Sequence, residues 1–133
     1  MYGMKVNIEV KQKNLQTNQE SILCDQICDL ELNDDNYSFS YKEKRPLNGH
    51  VTMHGNMQGC TINRKAEGTT NLILKHQKQT KGMVESIYGI LEIDLYTRRY
   101  FKKDNVIAVE YDILNDGDIL ESYRLMIKIR NIA

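Results

Sequence analysis

Arg64 is the residue whose type and setting promise the most chemistry. It closes a run in which Gln58, Cys60, Ile62 and Arg64 alternate with Gly59, Thr61 and Asn63. Period two puts Arg64 on the face of Cys60 and Ile62, the face that a half-buried strand turns inward. An inward guanidinium needs a partner, because taking it out of water unpaired is costly. One partner is the carboxylate or phosphate of a ligand, gripped bidentately. The other is an acid of the chain itself, closing one end of the fold, with Glu67 and Glu110 as the candidate acids. Tyr37, Tyr41, Tyr111 and Tyr123 also fall on apolar faces. Their rings and hydroxyls would line an amphipathic pocket, or else plug the core and rim its mouth. Arg64, Tyr41, Tyr111 and Tyr123 are therefore the candidate ligand-binding residues. No residues combine into a catalytic set.

The other chemistry-bearing types read as structure. His50 and His54 are four apart, which on a strand is ~13 Å, too far for one metal ion. Cys24 and Cys28 have the same spacing and the same objection, and with Cys60 they read as small apolar core residues. An odd number of cysteines does not make a disulfide framework, and reduced thiols point to a cytoplasmic protein. Asn115-Asp116-Gly117-Asp118 offers oxygen ligands without the twelve-residue loop and final Glu of a calcium-binding EF-hand, so it reads as a hairpin turn. Glu92 and Asp94 stand ~7 Å apart on one strand face that otherwise looks solvated. No nucleotide-binding loop occurs, and no metal or cofactor is expected. Arg98-Arg99-Tyr100-Phe101-Lys102-Lys103 mixes cations with aromatics, and with Lys75, Lys78 and Lys81 it would suit single-stranded nucleic acid. Against that stands the charge balance of 18 basic and 18 acidic residues, which leaves no electrostatic drive toward a polyanion. A zero net charge also gives no self-repulsion, so a homo-oligomer is compatible with it.

The elements that must position these residues are strands. Val6, Ile8 and Val10 alternate with charged and polar neighbours. So do Cys24, Cys28, Leu30 and Leu32, then Tyr37, Phe39 and Tyr41, then Val51 and Met53. Thr70, Leu72 and Leu74 continue the pattern, and the polar run 75–82 reads as a loop. Ile87, Leu91, Ile93 and Leu95 share a face, Arg98 to Asn105 reads as a connection, and Ile107 to Ile113 and Tyr123 to Ile129 complete the series. Asn33-Asp34-Asp35-Asn36 and Asn115-Asp116-Gly117-Asp118 are tight turns. No stretch reaches the ~18 apolar residues of a membrane span, and Met1 to Val10 lacks the apolar run of a signal peptide. Hydrophobic residues at 41% and charged residues at 27% are ordinary globular usage, so disorder is excluded. The 133 residues fit one domain, 1–133. Eight or nine short antiparallel strands joined by hairpins predict an all-β, up-and-down barrel, because closure removes aggregation-prone edges. The interior of a barrel this size is either just filled by side chains or opens to hold one small ligand.

Several of these runs resemble the YwiB-like family of small bacterial proteins. Tyr88-Gly89-Ile90-Leu91-Glu92-Ile93, followed by Tyr96-Thr97, reproduces a glycine, an alternating apolar strand, and a threonine eight residues after the glycine. Cys60-Thr61-Ile62-Asn63-Arg64 is similar to the family's strand ending in arginine, Ile107 to Asp112 to its next strand, and Phe39-Ser40-Tyr41 to its third. The resemblance implies a calycin-type barrel, the group of lipocalins and fatty-acid binders. It also favours the structural reading of Arg64, since calycins often carry an arginine as a cap across one barrel end. The family is a domain of unknown function and brings no activity or catalytic residue. Two departures stand out. Ala66 replaces a glycine two residues after the arginine, and Leu74 with a polar run replaces an aromatic-glycine step, which sets the segment 75–82 apart.

The functional expectation is a non-enzymatic protein that holds a small amphipathic or anionic molecule, with Arg64 or a tyrosine as polar anchor. The alternative is a filled barrel serving protein interaction or self-assembly through outward Tyr88, Ile90 and Tyr96. A hydrolase or isomerase would need a titratable side chain beside a pocket and within reach of a partner.

Overall fold

The computed structural model describes residues 2–132. Ten strands follow one another: β1 (Tyr2–Asn14), β2 (Glu20–Asn33), β3 (Asn36–Lys42), β4 (His50–Gly55), β5 (Gly59–Lys65), β6 (Thr69–Lys75), β7 (Gln79–Ser86), β8 (Gly89–Lys103), β9 (Val106–Asn115) and β10 (Asp118–Asn131). Each pairs antiparallel with its neighbour in sequence, and β10 returns to pair with β1. The result is a closed up-and-down barrel, as the alternation predicts, with ten strands in place of eight or nine. There is no helix among the described residues, hence none long and apolar enough to cross a membrane.

Alternation decides which way each strand faces. Val6, Ile8 and Val10 of β1 are fully buried, and so are Ile107 and Val109 of β9 and Ile127 of β10. Their neighbours in sequence turn outward, where Lys5 bridges to Asp29. Hairpin turns are set by residues that tolerate the left-handed backbone. Asp34, Asp104 and Asp116 each take a positive φ in a two-residue turn, and Gly117 follows Asp116 at φ 85°. Asp does this readily and Gly without cost.

Two segments depart from the sequence expectation. The run 75–82 is not a loop, for β7 begins at Gln79. The strand is hard to see because its inward positions hold Thr80 and Gly82 instead of large apolar residues. Gly82 fits closely there, since a Cβ would stand 3.0 Å from Ile93, Leu95 and the Asn71 carbonyl and these would have to give way. Its outward Lys81 pairs with Asp94 at 2.6 Å and Glu92 at 3.4 Å. The second departure is Arg98 to Lys103, which continues β8 and is not a connection; only Asp104-Asn105 turns. A bulge between Thr97 and Arg99 shifts the register. Thr97 and Tyr100 both face inward, three residues apart, and period two fails there. The face drawn through Ile87, Leu91, Ile93 and Leu95 is buried only at its far end: Leu95 is in the core, Ile93 packs against it, Leu91 is exposed and Ile87 lies in the turn.

The waist of the barrel is filled. Val6, Ile8, Val10, Leu95, Thr97, Val109 and Ile127 all have zero exposure, so not even a water fits against them. The interior of the waist therefore has no room for a ligand.

Candidate functional site

One end gathers the residues singled out by the sequence. Arg64, at the end of β5, donates from Nε to Glu43 Oε1 at 2.8 Å. The Glu43 side chain is 4% exposed and that of Arg64 33%, so the pair is half-buried with the carboxylate inside. Neither acid proposed from sequence is the partner. Glu110 faces outward and pairs with Arg124, and Glu67 lies exposed in the β5–β6 turn. Glu43 continues the inward series Tyr37, Phe39, Tyr41 by one more step of two. Gly49 leaves room for the pair, since a Cβ there would stand 2.9 Å from Arg64 Nε and closer still to Glu43 Oε1. Tyr41 and Tyr111 are buried beside it. Burial raises the hydroxyl pKa of both, and Glu43 raises that of Tyr41 further. Tyr123 packs tilted against Tyr111 with ring centroids 5.8 Å apart and donates to Glu121. The four candidate residues thus sit together at one end, which they and Glu43 fill.

The other end is open. A cavity of about 950 Å³ runs along the ends of β3 to β6 and over the turns between them. None of Arg64, Tyr41, Tyr111 or Tyr123 lines it. Its inner wall is backed by the inward row Tyr37, Gly55, Cys60 and Leu74, paired side by side across four strands, of which Tyr37, Cys60 and Leu74 are buried. Its outer wall is a second row, Glu31, Ser38, His54, Thr61 and Ile73, which crosses five strands in continuous register. Asn56, Gln58, His76 and Lys78 come from the turns and Lys75 from the end of β6. A chain of hydroxyls braces the inner wall. Tyr100 donates to the Asn56 carbonyl at 2.7 Å, so Tyr37, 2.9 Å away, donates to Tyr100. Gly55 lets the Tyr37 hydroxyl pass, because a Cβ there would stand 2.8 Å from it. Burial raises the pKa of Tyr37 and pushes Tyr100 up to about 12. Burial likewise pushes the Cys60 thiol up to about 12. At neutral pH Cys60 is a protonated thiol, unsuited to nucleophilic attack.

The remaining titratable groups do not converge. Cys24, Cys28 and Cys60 are buried and free. Among the described residues no cluster of three His, Cys, Asp or Glu side chains is placed to hold a metal ion. In the basic run, Arg98 lies 3.3 Å from the buried Asp112, Arg99 stacks on Phe101 and Lys102 on Tyr37, while Tyr100 is buried.

The barrel's family follows from its sequence. The model of a domain of unknown function, DUF1934, matches residues 6–127. The chain belongs to this family. The DUF1934 barrel is also similar to the crystal structure of ywiB protein from Bacillus subtilis, at TM-score 0.76 and 13% identity, over 98% of this chain and 94% of that one. At that identity the likeness concerns the fold alone. No curated protein matches the chain. Chemistry for this DUF1934 chain must therefore be read from its own residues. The cavity escapes sequence reasoning because its lining comes from an outward row of five strands and from two separate turns. The one visible signal is the cluster Lys75, His76 and Lys78, which flanks the turn into β7.

Proposed function

We propose that this protein binds a small amphipathic molecule without chemically transforming it, in the cavity at the Tyr37 end of the barrel. The observation that carries the reading is the cavity itself. Its volume of about 950 Å³ suits a drug-sized ligand, and it sets the exposed Ile73 among polar side chains. The filled waist has no room for a ligand inside it, and the occupied Arg64 end makes Arg64 and its tyrosines a structural counterpart to the site. Native mass spectrometry on gently purified protein tests the reading. Extra mass of a few hundred daltons that disappears on denaturation supports it. A bare mass, together with no change on adding amphipathic probes, counts against it.

A second reading rests on a different observation. The β7–β8 hairpin tip holds Ile87, Tyr88, Ile90 and Leu91 in solvent, with Tyr88 93% exposed. Apolar residues so presented suit an interface with another protein or a second copy of the chain. A native mass at a multiple of the chain, abolished by Tyr88→Ser with Ile90→Ser, supports assembly through this tip.

A further inference from the structure

We infer that the ligand of this cavity is an organic anion, held at the corner where the β4–β5 and β6–β7 turns meet. The inference rests on the binding reading above and adds the chemical class. The corner is built by the backbone: the His76 amide donates to the Gln58 carbonyl at 2.9 Å, and the Lys78 amide to that of Lys75 at 3.0 Å. What it presents to the cavity is a set of donors. His76 Nδ1 accepts the Tyr100 amide at 3.0 Å, so the remaining ring proton is on Nε2. Asn56 Oδ1 accepts the amides of Gln58 at 2.8 Å and Gly59 at 3.2 Å, which leaves the Asn56 Nδ2 group. Lys75 and Lys78 have no acid within ion-pair distance among the described residues. The one acid of the lining, Glu31, is at the far end of the outer row, four strand spacings or ~19 Å from Ile73.

Two unpaired ammonium groups, a fixed imidazole N–H and an amide NH₂ around one corner are complementary to a group that only accepts, which is a phosphate or a carboxylate. Ile73, exposed two residues before Lys75 and lining the same cavity, takes the apolar body.

Hexyl phosphate, hexanoate and hexanol share one chain and differ in the head. Each is titrated into the ¹⁵N-labelled protein, following the amides of residues 56–60 and 75–78 by NMR. At least one anion is expected to shift these amides saturably and at least tenfold more tightly than hexanol; which one does so separates phosphate from carboxylate. Lys75→Gln with Lys78→Gln should weaken that anion tenfold or more and leave hexanol unchanged. Equal affinity for hexanol, or an unchanged anion affinity in the double variant, overturns the anion while the cavity remains a binding site. No shift of these amides with any of the three overturns both readings.

Discussion

The two ends of this barrel solve the same problem in opposite ways. Each brings polar groups to the mouth of an apolar core, and each uses a glycine to let them approach. At the Arg64 end the groups are an acid and a base of the chain, which satisfy one another beneath Gly49. At the Tyr37 end, beside Gly55, Tyr37 donates to Tyr100 and Tyr100 to the Asn56 carbonyl, and Lys75 and Lys78 beyond them have no acid partner among the described residues. A pair that closes on itself makes a lid, and donors that do not close make a receptor. The arginine most conspicuous in the sequence is already paired, with Glu43.

The largest effect should come from breaking the lid. Arg64→Leu strands the buried Glu43 carboxylate and should cost about 3–5 kcal/mol in urea denaturation. Glu43→Leu combined with Arg64→Leu should recover most of that loss, because two apolar residues of similar size need no partner. If Arg64→Leu leaves stability unchanged and abolishes binding of hexyl phosphate or hexanoate, the roles of the two ends are reversed.

Alkali tests both ends together. Burial pushes Cys28 up to about 11 and Cys60 and Tyr100 up to about 12, and raises Tyr37 and Tyr41 as well. The folded state holds these protons more tightly than the unfolded chain. Their contribution is thus complete below the ordinary thiol and phenol values and is lost as pH rises toward about 11–12. Each fully buried group steepens the loss by up to about 1.4 kcal/mol per pH unit. Urea midpoints measured at pH 7, 10 and 11 should fall in that order; a flat profile contradicts the burial of these groups.

The glycines give a smaller and asymmetric pair. Gly55→Ala drives a Cβ into the Gly59 carbonyl and the Tyr37 hydroxyl, so backbone must move, at about 2 kcal/mol. Gly49→Ala meets only side-chain ends of Glu43 and Arg64 and should cost about 1 kcal/mol. The reverse order would mean that the open end is the more pliable one.

The smallest change should be a gain. Thr97 is fully buried beside Tyr111, and its hydroxyl has no hydrogen-bond partner. Thr97→Val keeps the shape and removes the orphan, and should add about 1 kcal/mol to stability. A loss of similar size in the same denaturation measurement would reveal a partner for that hydroxyl.

How far the sequence could be read depended on what faced inward. Strands β1, β3, β9 and β10 were legible because Val6 to Val10, Tyr37 to Tyr41, Ile107 to Ile113 and Tyr123 to Ile129 alternate large apolar residues on the inner face. Strand β7 was hidden by Thr80 and Gly82, chosen for clearance over Ile93 and Leu95 instead of for hydrophobicity. The bulge at Arg98 broke the count in β8, and a break of one residue turns a strand into an apparent connection. Arg64 and the three tyrosines were correctly placed inward by period two. Glu43 was missed because it lies among Lys42, Lys44 and Arg45, where charge marks the end of a strand unless the inward count is carried one step further. The cavity left almost no trace, since a row across five strands takes one residue from each.

The ladder between β1 and β10 has a consequence for how the chain assembles. Nine of the ten ladders join consecutive strands and form as local hairpins. The tenth pairs Val6 with Asn131 and Asn14 with Tyr123, across nearly the whole chain. Such a seam meets the highest loop-closure entropy and should be the last to zip. During synthesis β1 therefore waits with one flank bare until β10 has left the ribosome, the very exposure that templates aggregation. Lys5, Glu9, Lys11 and Lys13, alternating along β1, keep that waiting edge charged for as long as the ring is open.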